Sequence, residues 1–147
     1  MKLTEKKLRV SANINMAYVI NYLSKYLGYS CEEAFLRFVS TQCFCELSDL
    51  RSGLCSAMSP EVLFIFEEDS SIAIPEDDDK ISGAFDISEK LQYIVNMSEA
   101  FRIDMKISAS KYPQYLKKHN IWKILEHEYD TLHTMKRDEV IKRLRGI

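Results

Sequence analysis

Met16-Ala17-Tyr18-Val19-Ile20-Asn21-Tyr22-Leu23-Ser24-Lys25-Tyr26-Leu27-Gly28 decides how the rest of the chain is read. Met16, Val19, Ile20, Leu23 and Leu27 recur at three- and four-residue spacings, so on a helix they share one face. Gly28 follows where the chain can take the left-handed conformation that ends a helix. The spacing predicts a helix over about 13–27, and with only four glycines and three prolines in 147 residues there are few breakers to stop the same pattern elsewhere.

Working outward, Ser30-Cys31-Glu32-Glu33 reads as a capping box and starts a second helix over about 31–42. A third short helix is expected over 45–51. Ser59-Pro60-Glu61 offers a capping hydroxyl, a first-turn proline and an acid, and opens a fourth helix carrying residues 62–66. In the second half, Asp86-Ile87-Ser88-Glu89 is another capping box, and Leu91, Ile94, Val95 and Phe101 make the stripe of a helix over about 87–102. Pro113 removes an amide and crowds the preceding turn, so the helix holding Tyr112, Tyr115 and Leu116 should begin near Ser108 or Ser110. Two more follow, over about 121–129 with Ile121, Ile124 and Leu125 inward, and over 138–145. Between the halves, Glu67-Glu68-Asp69 and Glu76-Asp77-Asp78-Asp79 bring mutually repelling carboxylates together, and residues 67–85 read as an acidic linker.

Sliding the chain along itself places Tyr18-Val19-Ile20-Asn21 on Tyr93-Ile94-Val95-Asn96, with Ala34 on Ala109 at the same offset. Further on, Leu54, Ser56, Glu61, Val62 and Leu63 fall on Leu132, Thr134, Glu139, Val140 and Ile141. The expected fold is therefore mainly α: two tandem copies of a small four-helix unit, residues 1–66 and 86–147, packed together with the acidic linker between them. Each unit is near the size at which an isolated core is marginal, which favours one shared body.

Charge narrows the partners. A net charge of −2 gives no overall attraction to nucleic acid or to anionic membrane. The first residues, Met1-Lys2-Leu3-Thr4-Glu5-Lys6-Lys7, carry charges where a signal peptide needs an apolar core, and the apolar run at 62–66 is too short to cross a bilayer, so a cytoplasmic protein is expected. Cys31, Cys43, Cys45 and Cys55 lack the paired two-residue gaps of zinc knuckles, and read as reduced, packed thiols.

In the second copy, Tyr129-Asp130-Thr131-Leu132-His133-Thr134, followed by Glu139-Val140-Ile141, has the form Tyr-x-x-x-His-Thr before a last helix. With these residues the stretch 91–147 resembles a family of short bacterial all-helical domains of unknown function, the family numbered three-seven-nine-one. The first copy looks like a degenerate member, with Arg51 and Cys55 at the signature positions. The resemblance implies no reaction, cofactor or substrate; neighbours of toxin or ADP-ribosyltransferase type would suit an antitoxin or adaptor.

Tyr129, Asp130 and His133 share a helix face and are the sharpest candidate cluster, with His133 otherwise placed to cap the last carbonyls of its helix. Catalysis through His133 would need a nucleophile or a metal beside it, and His127 and His133 are out of register for shared ligation. No phosphate loop or nucleophile elbow occurs, and no cofactor is expected. Lys6-Lys7-Leu8-Arg9-Val10-Ser11 alternates basic and apolar residues ahead of two helices, an order that resembles a ribbon–helix–helix unit over residues 6–42, with Lys6, Lys7 and Arg9 reaching DNA. Tyr22, Tyr26, Tyr29, Phe35, Phe38, Tyr112, Tyr115 and Trp122 exceed what two small cores obviously need. The expected function is a non-enzymatic helical protein-interaction module that contacts another protein through Tyr129, Asp130, His133 and Trp122, with DNA binding as the alternative and homodimerisation as an option.

Overall fold

A computed structural model describes residues 3–146; Met1, Lys2 and Ile147, which belong to the two expected units and to the charged N-terminal stretch, lie outside them. The chain is mainly α, and among the described residues it contains no strand. α1 runs over Leu3–Leu27, and its end takes the expected form: Gly28 sits at φ 80° and the Tyr29 amide donates to the Leu23 carbonyl at 3.3 Å. α2 (Cys31–Val39) starts where the Ser30 hydroxyl accepts from the Glu33 amide at 3.1 Å. It is shorter than expected because Thr41 caps a new helix, α3 (Gln42–Ser48), which begins three residues before the anticipated start. A 3₁₀ turn at Leu54–Ser56 leads to α4 (Ser59–Ser70). Ser59 does not cap it; its hydroxyl donates instead to Asn15 Oδ1 at 2.6 Å, and the Asn15 amide donates to the Cys55 and Ala57 carbonyls, which ties this turn to α1.

The stretch expected as a linker is built into the body. Residues 67–70 complete α4, and residues 71–86 form a strap along α1 that contains a short helix, α5 (Asp78–Gly83). Ile74 and Ala84 of this strap are buried. The Tyr18 hydroxyl donates to the Ile81 carbonyl at 2.7 Å, and the Asn21 amide donates to the Ala84 and Asp86 carbonyls. A Cβ at Gly83 would collide with the Tyr26 hydroxyl, so a glycine lets the strap approach closely. Carboxylate repulsion does not prevent docking because Glu76, Asp78 and Asp79 remain exposed while Asp77 caps α5, its Oδ1 accepting from the Asp79 and Lys80 amides.

Burial, then the neighbouring Tyr22 and Tyr26 phenols, push the Tyr18 hydroxyl from 10.0 up to about 12. The folded protein holds this proton where the unfolded chain has released it, so the strap's contribution is complete below about pH 10 and is lost as pH rises from 10 towards 12. Tyr18→Phe should cost about 1 kcal/mol at neutral pH. It should also flatten the fall in stability across that alkaline window, as read by urea titrations.

The second half opens with α6 (Glu89–Asp104), capped by Ser88, whose hydroxyl accepts from the Leu91 amide at 3.1 Å. The capping residue is therefore Ser88 and not Asp86, and the helix lies two residues later than its box suggests. A 3₁₀ turn (Ala109–Lys111) runs into α7 (Tyr112–Lys118), and α8 (Ile121–His127), α9 (Tyr129–Leu132) and α10 (Arg137–Arg145) follow.

Both halves feed one core. Phe35 of α2 lies 4.7 Å from the Trp122 ring of α8 and edge-on to Tyr112 of α7 at 6.3 Å, while Phe44 of α3 stacks against Tyr112 at 6.3 Å. Five of the aromatics expected in excess, Tyr22, Phe35, Phe38, Tyr112 and Trp122, are spent in this core, and Tyr26, Tyr29 and Tyr115 pack partly against it.

Candidate functional site

The period-two pattern in Leu8, Val10, Ala12, Ile14 and Met16 is wound onto a helix, so it separates into two faces. Leu8, Ala12 and Met16, four residues apart, turn inward to the core. Val10 and Ile14, also four apart, fall on the outer face and stay 58% and 42% exposed. The ribbon expected at residues 6–11 is therefore part of α1, and the strand needed for a ribbon–helix–helix unit is absent there.

Those two side chains border a groove of about 600 Å³ between α1 and α6. Ala100 and Ile103 of α6 supply its other apolar wall, with Asn13, Gln92 and Asn96 at the polar margin. The Gln92 amide donates to the Asn13 carbonyl at 3.3 Å and to Asn96 Oδ1 at 3.0 Å, fastening the two helices there. Lys6, Arg9 and, from α10, Arg137 bring three cations to the same groove. Lys7 is exposed but does not line it. Arg9 is held by a bond from its Nη1 to the Ser48 carbonyl at 3.1 Å, and its Nε is buried with no acceptor.

Glu99 also borders the groove, yet it is only 4% exposed and its carboxylate is taken up by Arg102, with Nε to Oε2 at 2.8 Å and Nη2 to Oε1 at 3.0 Å. Nη1 of Arg102 donates to the Ile107 carbonyl at 2.9 Å, and the guanidinium lies over the Phe44 ring. Burial alone would lower the Arg102 pKa, but the hydrogen bonds and charge of Glu99 outweigh it and hold it above the usual value. The groove's positive charge therefore belongs to Lys6, Arg9 and Arg137.

The expected cluster lies around α9. Tyr129 and His133 stack with ring centres 4.5 Å apart, and Tyr93 meets Tyr129 edge-on at 5.4 Å. Lys90 Nζ sits 5.5 Å from the Tyr129 ring centre, and Asp130 and His133 are exposed. His133 Nδ1 is 2.6 Å from the Tyr129 carbonyl, which can only accept, so the proton is on Nδ1 and the histidine closes its own helix. Trp122 is not part of this surface: it is 2% exposed, packed on Phe35, with its Nε1 donating to Glu126 Oε2 at 3.3 Å.

All four cysteines are free. Burial pushes the Cys43 thiol up to about 12, where it stays protonated, and burial also raises Cys45 against the opposing pull of Arg102. Among the described residues no group of three or more His, Cys, Asp or Glu is placed to hold a metal ion, and no helix is long and apolar enough to cross a membrane.

Sequence reasoning missed the groove because Val10 was read in a strand over residues 6–11 and Ile14 in a separate helix from about residue 13, so the two were not placed on one face. The signal that finds it is the second four-residue series on α1, offset from the core series. No family model matches the chain, and neither a curated protein nor a solved structure matches it.

Proposed function

We propose that this protein is a non-enzymatic helical module that works in the cytoplasm by binding another protein, in the manner of an antitoxin or an adaptor. The observation that carries this reading is the pair Val10 and Ile14, left exposed one turn apart on α1 while the apolar side chains from Met16 to Leu27 are packed. Leaving apolar area in water is unfavourable by about 25 cal/mol per Å², and a contiguous strip rimmed by polar groups is the usual mark of an interaction surface. Tyr129 stacked on His133, with Tyr93 edge-on and Lys90 and Asp130 beside them, forms a second, partly exposed surface suited to the margin of such a contact.

The two halves run through a similar order, a long helix, short helices, a single turn and a last helix, which supports a duplicated origin and a scaffold in which the groove is built from both copies. The test is photo-crosslinking of the full chain in its native host, with benzoylphenylalanine placed in turn at positions 14 and 129. A defined protein crosslinked from either position is the expected result. Recovery of the chain without a crosslinked protein from both would overturn the reading.

A further inference from the structure

Resting on that protein-binding reading, we infer that the groove between α1 and α6 receives an amphipathic helix of the partner, which lays apolar side chains on Val10, Ile14 and Ile103 and sets carboxylates against Lys6, Arg9 and Arg137. Two adjacent helices present the furrow into which the side-chain ridge of a third helix packs, and recognition of this kind reads apolar anchors at three- and four-residue spacing. The apolar stretch of the groove has that form, with Val10 and Ile14 on one wall and Ala100 and Ile103 on the other.

Charge selects the sign of the occupant. Among the described residues three cations line the groove, and Glu99, the one carboxylate on its wall, is engaged by Nε and Nη2 of Arg102. Arg9 adds direction. Its Nη1 is already bonded to the Ser48 carbonyl, which fixes the guanidinium on the groove wall and presents its charge to a partner carboxylate. A small anion would satisfy Arg9 but would leave the crest of Val10, which is 58% exposed, in water; a helix covers both. A symmetric pairing of two copies through this groove would set Lys6, Arg9 and Arg137 against the same three cations, which like-charge repulsion disfavours.

The test uses the full chain and two fluorescein-labelled helical peptides of about five turns, both with leucines at three- and four-residue spacing, one flanked by glutamates and its twin by lysines. Fluorescence anisotropy should give at least about tenfold tighter binding for the glutamate peptide, weakening as salt is raised. Ile14→Asp, an exposed substitution that leaves the fold intact by circular dichroism, should weaken it by about tenfold or more, and Arg137→Glu should narrow or reverse the preference between the twins. Equal binding of the twins, or binding that survives Ile14→Asp, overturns the inference. So does dodecanoate binding that displaces the peptide, which would assign the groove to a small amphiphilic anion, and so does peptide-free dimerisation abolished by Ile14→Asp. Crosslinking of a partner from position 129 but not from position 14 rejects the groove helix and leaves the interaction reading standing, whereas silence at both positions rejects the two together.

Discussion

Phe35→Ala should destabilise the whole protein by about 3–5 kcal/mol and lower its melting temperature by roughly 10–15 °C. Phe35 is fully buried and contacts Trp122 and Tyr112, both from the other half of the chain, so truncation opens a cavity where the halves meet. Trp122 is the chain's single tryptophan, so its fluorescence follows one site in the second half. If one core joins the halves, the Trp122 fluorescence transition moves with the far-ultraviolet circular dichroism transition when Phe35 is cut back. Two independently folding units predict the opposite: a Trp122 midpoint that stays in place while part of the helical signal melts early. A loss of this size is a large share of the roughly 5–15 kcal/mol that holds an ordinary domain, so the expected shift is far outside measurement error.

Much of this architecture is legible in the local sequence. Helix faces and ends follow from groups that meet within one turn, such as the stripe from Met16 to Leu27, Gly28 at the αL position and Ser30 on the Glu33 amide. The errors arise where a local signal has a distant competitor. Ser59 has the form of a cap, but Asn15, brought close by packing, takes its hydroxyl. The acidic stretch has the composition of a linker, yet its backbone carbonyls are claimed by Tyr18 and Asn21 while its carboxylates stay in water. The aromatics that exceed what two small cores need are taken up where the halves meet in a single shared core.

For the candidate site, the residue types were legible and their grouping was not. Lys6 and Arg9 were singled out as a basic strand, and the structure keeps them together on α1 while adding Arg137 from the far end of the chain. Tyr129, Asp130 and His133 are neighbours as their spacing requires, because a single helical turn holds them. Trp122 has no such local constraint, and its burial is decided by Phe35, almost ninety positions earlier by residue number.

Removing either partner of the Glu99–Arg102 pair should cost about 3–5 kcal/mol, whereas replacing both with Leu and Met should cost clearly less than either single change. Arg102 is 6% exposed, and all three of its donating nitrogens are in use, two on Glu99 and one on the Ile107 carbonyl. Glu99→Leu strands a desolvated cation, and Arg102→Met strands a carboxylate on the wall of an apolar groove. The double variant removes both charges and retains apolar volume, losing chiefly the bond to Ile107, worth about 1 kcal/mol. Urea titrations of the four proteins measure the coupling. Salt separates this pair from those at the surface: the Arg143–Glu128 pair, exposed on both sides, should show little coupling and lose it as salt rises, but the Glu99–Arg102 coupling should persist. Additive single losses would mean that each side chain is stabilised separately, and that the groove wall carries a charge that the pair does not neutralise. In that event Glu99 would repel an acidic helix, so the cycle also measures whether the groove has the sign that such a partner requires.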